Sequence, residues 1–263
     1  MTPTSIVVVS DLHCNSTVAL LAPHTKLQEG GEYALNPFQK WLWARWQLFL
    51  KQVPKGCVVV VNGDLVQGIH PSKESAIVSP SATDMRRMAV DVLEPLAAKA
   101  KALYVIRGTP YHGGVGEQDT EAIAQEIGAN AISDTGQYSS WNLWLDHDGL
   151  LFHFAHFLSV APVYPLNPMQ RELMNAKIIS VDNGYPMPDV LVRSHRHEYK
   201  HYPESKRHVF ATPGWQLQTD FVNSKMPMRL PSIGGLFLWV KKGELEYQPV
   251  LYPLPKPTVI RSR

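Results

Sequence analysis

Cysteine is nearly absent from this chain of 263 residues. Cys14 and Cys57 are the two, too few for a disulfide framework or a thiolate-type zinc site. An excess of one charge is also missing. Lys and Arg number 25 against 23 Asp and Glu, a net of +2, so no bulk field marks a nucleic-acid binder. No apolar run approaches the roughly 18–20 residues of a membrane span. Met1 to Ser5 lack a basic leader region, and Ile6–Val9 is too short for a signal peptide's apolar stretch. A cytoplasmic protein with no membrane partner is expected. Repeats, low-complexity tracts and a clear linker are lacking too. One domain over 1–263 is therefore expected, with a proline-bearing tail from about Pro249 that drapes over the surface or stays unordered.

What is present is core material and histidine. Hydrophobic residues make up 44% and charged residues 18%, enough for a sizeable core. The β-branched runs Ile6–Val9 and Cys57–Val61, with Leu103–Ile106, read as buried strands. Phe38–Lys51 reads as a helix with Asn36 as N-cap and Pro37 at its first position. Thr83 is expected to cap a second helix, kinked at Pro95. Glu117–Ile127 reads as a third, stopped by Gly128. Trp141–Leu145 and Leu150–Phe154 flank a turn at Asp148-Gly149. Asp189–Val192 and His208–Ala211 read as strands around a polar loop. Leu236–Val240 and Leu245–Leu251 read as a hairpin turned at Lys242-Gly243. Strand and helix alternate in the first half and strands dominate the second, so the expected fold class is α/β, with two packed mixed sheets flanked by helices.

The eleven histidines matter by placement. Asp11 and His13 follow the first strand, two apart, and would share a side if the backbone were extended. Asp64 follows the second strand behind Gly63. His156 follows Phe152–Ala155, and His195 and His197 follow Val190–Val192. Sites in open α/β sheets lie beyond the carboxyl ends of strands, so these clusters are expected to converge on one crevice. Imidazole with carboxylate suits zinc, manganese or iron. Six such groups exceed the needs of one catalytic ion, and two ions about 3.5–4 Å apart can clamp a phosphoester.

The order of these motifs resembles the calcineurin-like metallophosphoesterases, whose pattern runs D-x-H, G-D, G-N-H, a lone His, then G-H-x-H. Here it reads Asp11-Leu12-His13, Gly63-Asp64, Gly108-Thr109-Pro110-Tyr111-His112, His156 and Ser194-His195-Arg196-His197, over roughly residues 5 to 215. The resemblance implies a four-layer sandwich and two divalent ions (manganese, zinc, iron or magnesium). Asp11, His13, Asp64 and His197 would hold one; Asp64, His156 and His195 would hold the other. It implies a phosphomonoesterase or phosphodiesterase that attacks with a bridging hydroxide. His112 would protonate the leaving group, or else become a ligand, and Arg107, or else Arg196, would stabilise the equatorial oxygens. Thr109, which either ligates or hydrogen-bonds locally, stands where the family has an Asn ligand, and Gln67 where it often has Asp. The loop Arg107-Gly-Thr-x-x-His-Gly and the stretch Thr212–Leu217 resemble a phage and prophage branch, which implies the host cytoplasm if a phage encodes the chain.

Each feature also has a plainer account. His153 competes with His156 but sits on the opposite strand face. His70 lines the crevice or a surface loop. Trp41, Trp43 and Trp46 pack a helix on a sheet rather than stack bases, and Trp215 walls the site or fills the core. Arg193, Arg196, Lys200, Lys206 and Arg207 steer an anionic substrate or form a solvated loop. Expected partners are a phosphorylated small molecule, a nucleotide or a phosphoprotein. A nuclease acting on DNA or RNA is the first rival. A degenerate fold acting as a binding scaffold is the second, kept alive by Thr109 and Gln67.

Overall fold

The computed structural model describes residues 5–70, 76–132, 136–159, 164–241, 243–256 and 259–261. In chain order the elements are β1 (Ser5–Val9), β2 (Thr25–Lys26), β3 (Glu32–Tyr33), α1 (Pro37–Gln52), β4 (Cys57–Asn62), α2 (Ala82–Ala97), β5 (Ala100–Ile106), α3 (Gln118–Glu126), β6 (Ser139–Ser140) and β7 (Asn142–His147). Then follow β8 (Leu150–Ala155), α4 (Asn167–Asn183), β9 (Val190–Arg193), β10 (Lys200–Glu204), β11 (Arg207–Ala211), α5 (Asp220–Lys225), β12 (Ile233–Lys241) and β13 (Glu244–Tyr252). A six-stranded sheet runs β13-β12-β1-β4-β5-β6 and a five-stranded sheet runs β10-β11-β9-β8-β7. Both are mixed: β1, β4 and β5 are parallel, as are β8, β9 and β11, while β12 and β7 run antiparallel to their neighbours.

Alternation along the strands builds the layers. Ile6, Val8, Val58, Val60, Leu236 and Leu238 of the first sheet meet Phe152, Phe154, Val190, Val192 and Phe210 of the second. The other faces of β1 and β4, with Val7, Val9, Val59 and Val61, pack on Leu42, Trp46 and Phe49 of α1, Met85, Met88 and Val92 of α2, and Ile123 of α3. Leu191 and Val209, on the outer face of the second sheet, pack on Met169 and Leu173 of α4. Helix, sheet, sheet, helix is the expected α/β sandwich. No helix among the described residues is long and apolar enough to cross a membrane.

The helix starts follow their caps. Asn36 and Gln39 form a reciprocal capping box at α1, with Pro37 in the first turn. For α2 the cap is Ser81, not Thr83: its hydroxyl accepts from the Asp84 amide at 3.3 Å. Pro95 lies inside α2, in its last turn, two residues before the helix ends. Asp148 and Gly149 both take positive φ in the β7–β8 turn. Lys242 of the expected last hairpin lies outside the described residues, as does Pro257. The tail begins later than Pro249, which pairs with Leu236 inside β13.

The basic segment is not a solvated loop. It forms the β10–β11 hairpin, and Arg193 is buried with Nε 2.8 Å from Glu172 of α4. Trp215 is core: fully buried, its ring lies edge-on to Trp46 at 4.8 Å.

Candidate metal centre

Parallel register gathers the carboxyl ends of β1, β4 and β5 at one end of the first sheet, and those of β8 and β9 at the second. The loops leaving them are stitched together. The Asp11 amide donates to the Gly63 carbonyl and the His13 amide to the Asp64 carbonyl, both at 3.0 Å. The Ser194 amide donates to the His156 carbonyl at 2.7 Å.

Backbone strain concentrates on the candidate ligands. Ten non-glycine residues among those described have positive φ, and five are Asp11 (52°), His13 (45°), Asp64 (50°), His195 (71°) and His197 (52°). Left-handed conformation costs roughly 1–2 kcal/mol per non-glycine residue and persists where surrounding structure imposes it, as at functional sites. Asp11 and His13 are thus not extended; the left-handed turns, not strand alternation, aim both side chains inward. Two glycines permit the close approach. A Cβ on Gly63 would meet His156 Nδ1 at 2.3 Å, and one on Gly108 would meet Asp64 Oδ1 at 2.1 Å.

Three groups of ligand atoms result, each with its atoms within 4.8 Å of one another: Asp11, His13 and His197; Asp64, His156 and His195; and His13, Asp64 and His112. All six expected ligands converge, with Asp64 central. His156 Nδ1–H donates to the Asn62 carbonyl at 2.7 Å. Its Nε2 therefore faces Asp64 Oδ2 at 3.0 Å and Asp11 Oδ1 at 3.9 Å. His13 Nε2 and His197 Nε2 meet at 3.1 Å, and His197 Nε2 is 3.3 Å from Asp11 Oδ1. Asp11 Oδ1 and His156 Nε2 are buried without a hydrogen-bond partner. Carboxylate oxygens and imidazole nitrogens packed this closely in a buried site call for cations, protons or metal ions, between them. Carboxylate oxygens with imidazole nitrogens, that of His156 fixed by a second hydrogen bond, fit divalent ions.

The charges agree. Burial alone would lower His156, but Asp64 and Asp11 beside it raise it to about 9. Burial would raise Asp11, yet His197 and His156 draw it down to about 2. Asp64 lies well below its usual range because the surrounding histidines outweigh burial. Burial with His112 alongside holds His13 well below the imidazole range. Carboxylates stay ionised and His13 stays neutral, the states that ligate metal, while His156 carries a proton that a metal ion would displace.

Around this core the remaining residues sort by contact. Thr109 donates to Asp64 Oδ1 through its amide at 2.7 Å and its hydroxyl at 3.1 Å, so it orients the central carboxylate. His112 Nδ1–H donates to the Gln67 carbonyl at 2.7 Å, leaving Nε2 for the cluster. Arg107 is engaged elsewhere: Nε donates to Ser139 Oγ at 3.0 Å, and Nη2 lies 3.6 Å from Glu121 Oε2. Arg196 lines the cleft beside His195 and His197, and its Nε is buried without a partner. His153 Nδ1 lies 3.1 Å from Arg193 Nη2, outside the cluster. His70 stacks on Tyr111 with centroids 3.6 Å apart.

Sequence reasoning missed the supports. The Asn62 side chain donates to Ser194 Oγ at 2.6 Å and to the Ala155 carbonyl at 3.1 Å, tying the strand ends of the two sheets together. Ser10, Thr212 and Ser194 form a buried hydroxyl chain with 2.7 Å links. Their signal was a polar residue at the end of each apolar strand.

No family model and no curated protein sequence matches the chain. Among solved structures, an archaeal phosphodiesterase is 11% identical with a TM-score of 0.48, covering 95% of this chain and 100% of its own. A Streptococcus pneumoniae protein described as a predicted phosphoesterase is 9% identical at 0.39, covering 95% and 99%. The Entamoeba histolytica Vps29 complexed with zinc is 10% identical at 0.42, covering 94% and 99%.

Proposed function

We propose that this chain is a divalent-metal-dependent phosphoester hydrolase with a two-ion centre held by Asp11, His13, Asp64, His156, His195 and His197. The observation that carries this reading is the buried convergence of Asp11, His13, Asp64, His156, His195 and His197 in overlapping groups of ligand atoms. Divalent ions there would supply Lewis acidity to a phosphoryl oxygen and acidify a water near neutral pH.

The protein's own residues account for the rest. Asp64, shared between two ligand groups, bridges them, and Thr109 fixes its orientation. Asn62 fixes the His156 tautomer by accepting from Nδ1, a support typical of ligating imidazoles. His112, anchored by the Gln67 carbonyl, turns Nε2 towards the cleft and protonates the departing alkoxide. Burial lowers its pKa, which makes its protonated form a better donor. Arg196 takes the electrostatic role at the equatorial oxygens; Arg107, held by Glu121 and Ser139, supports the loop between β5 and α3.

The test is hydrolysis of bis(p-nitrophenyl) phosphate and p-nitrophenyl phosphate by chelated protein, with manganese, zinc, magnesium or nothing restored. Turnover that appears only with a restored ion supports the reading, and the preferred compound selects diester or monoester chemistry. Stoichiometric metal uptake without turnover of either compound would defeat it in favour of a scaffold.

A further inference from the structure

The cleft over the cluster holds about 1150 Å³, far more than a phosphoryl group fills. Its walls carry two exposed phenyl rings on separate elements, Phe38 of α1 at 55% and Phe221 of α5 at 68% exposure. Such rings in water beside a polar centre mark a binding surface. The same cleft is lined by an amide pair: Gln216 Nε2 donates to Gln67 Oε1 at 2.7 Å. That bond leaves a donor on Gln67 Nε2 and an acceptor on Gln216 Oε1, on neighbouring side chains. Gln67 also anchors His112, so the pair adjoins the reacting centre.

An adjacent donor and acceptor complement the edge of a nucleobase, and exposed rings complement its face. We propose that the cleft binds a phosphodiester carrying a nucleobase, its edge on the Gln67–Gln216 amides and its ring against the phenyl walls. This rests on the phosphoesterase reading. An acyl chain would strip water from the amides without replacing their hydrogen bonds. A phosphopeptide or a long strand would require a cluster or track of cations. Beyond the metal cluster the charged residues lining the cleft are Arg196, Arg229, Glu198 and Asp220. They cancel, and Arg229 is paired with Glu198 at 2.5 Å. The substrate is therefore of nucleotide size.

The experiment compares the p-nitrophenyl ester of thymidine 5′-monophosphate with methyl p-nitrophenyl phosphate, using metal-restored protein. Each consumes one water and releases p-nitrophenol, so the leaving group is constant. The nucleoside ester is expected to show kcat/KM about tenfold higher or more. Phe221→Ala, at an exposed site, and Gln216→Leu should each shrink that ratio severalfold. Calorimetry in parallel compares thymidine 5′-monophosphate with 2-deoxyribose 5-phosphate, and the nucleotide should bind about tenfold tighter. Equal kcat/KM with equal binding overturns base recognition and leaves the hydrolase reading standing. No turnover of either ester, with the nucleotide still bound tighter, overturns the hydrolase reading and leaves base recognition standing. A ratio unmoved by both substitutions removes the base from these walls and overturns the proposal.

Discussion

Two histidine-rich regions lie in this molecule, and they behave oppositely. At the strand ends, His156 sits against Asp64 and Asp11 and is raised to about 9. On the β10–β11 hairpin, His201 stacks on Phe210 at 4.4 Å and contacts His208 Nδ1 through Nε2 at 2.9 Å. With burial and His208 against it, His201 falls to about 4. His153 falls to about 3 from burial and Arg193. The residue type is the same. The carboxylate decides whether an imidazole gathers positive charge or sheds it, and so whether the cluster can hold a cation. His201 and His208 are packing residues; His156 is chemistry.

The strongest way to break this contrast is to remove the carboxylate. Asp64→Asn keeps the side chain's shape and deletes the shared charge. Metal-restored activity should fall by at least about 100-fold, more than typically follows loss of a residue that only supports a ligand. Metal analysis should find at most one tightly held ion per chain. Full turnover with two ions retained would defeat the two-ion centre. Next in size is His112→Ala. An alkyl ester, whose leaving group needs a proton, should lose about 100-fold, while a p-nitrophenyl ester should lose far less. Equal losses on both would remove His112 from proton donation. Smaller again is Thr109→Val, which keeps the amide bond to Asp64 but removes the 3.1 Å hydroxyl bond. A loss of about tenfold in metal affinity or activity is expected from this loosened support, read by competition with a chelator. Unchanged affinity and rate would make Thr109 a bystander.

The part of the site legible in sequence was the part written as residue type after an apolar strand. Asp11, His13, Asp64, His156, His195 and His197 each follow a β-branched or aromatic run, and the two-sheet sandwich follows from the same runs. What escaped had no local signature. Helix α4 was overlooked because its apolar residues do not form one stripe: Met169 and Leu173 are buried, while Met174, Ile178 and Val181 are exposed. Strand β10, Lys-His-Tyr-Pro-Glu, has no apolar alternation and contains a proline, so it reads as a loop until β11 pairs with it. Arg107 looked catalytic because it precedes the Gly108 loop, yet its partners Glu121 and Ser139 come from α3 and β6, across a gap that sequence spacing does not measure. Thr109, by contrast, was visible as a departure from the family pattern, but its bond to Asp64 needed the Gly108 close approach to be seen.

The smallest expected effect lies in the second histidine region and touches stability alone. His201 titrates near 6.5 when exposed and about 4 in the fold. Below about 6.5 the unfolded chain takes its proton first, so this residue costs stability as pH falls from about 6.5 to about 4 and contributes no such slope above that window. His201→Phe retains a ring against Phe210 and removes the titration, while losing the bond to His208. Thermal melts at pH 7.5 and 4.5 should show a shallower decline in the variant. Some decline should persist, because His153 and His208 are also lowered in the fold. Metal-restored kcat/KM at pH 7.5 should match the parent, since His201 does not line the cleft. An identical acid decline would mean that the packing against Phe210 and Tyr247 admits the charged ring, and the division between the two histidine regions would then rest on carboxylates alone rather than on burial as well.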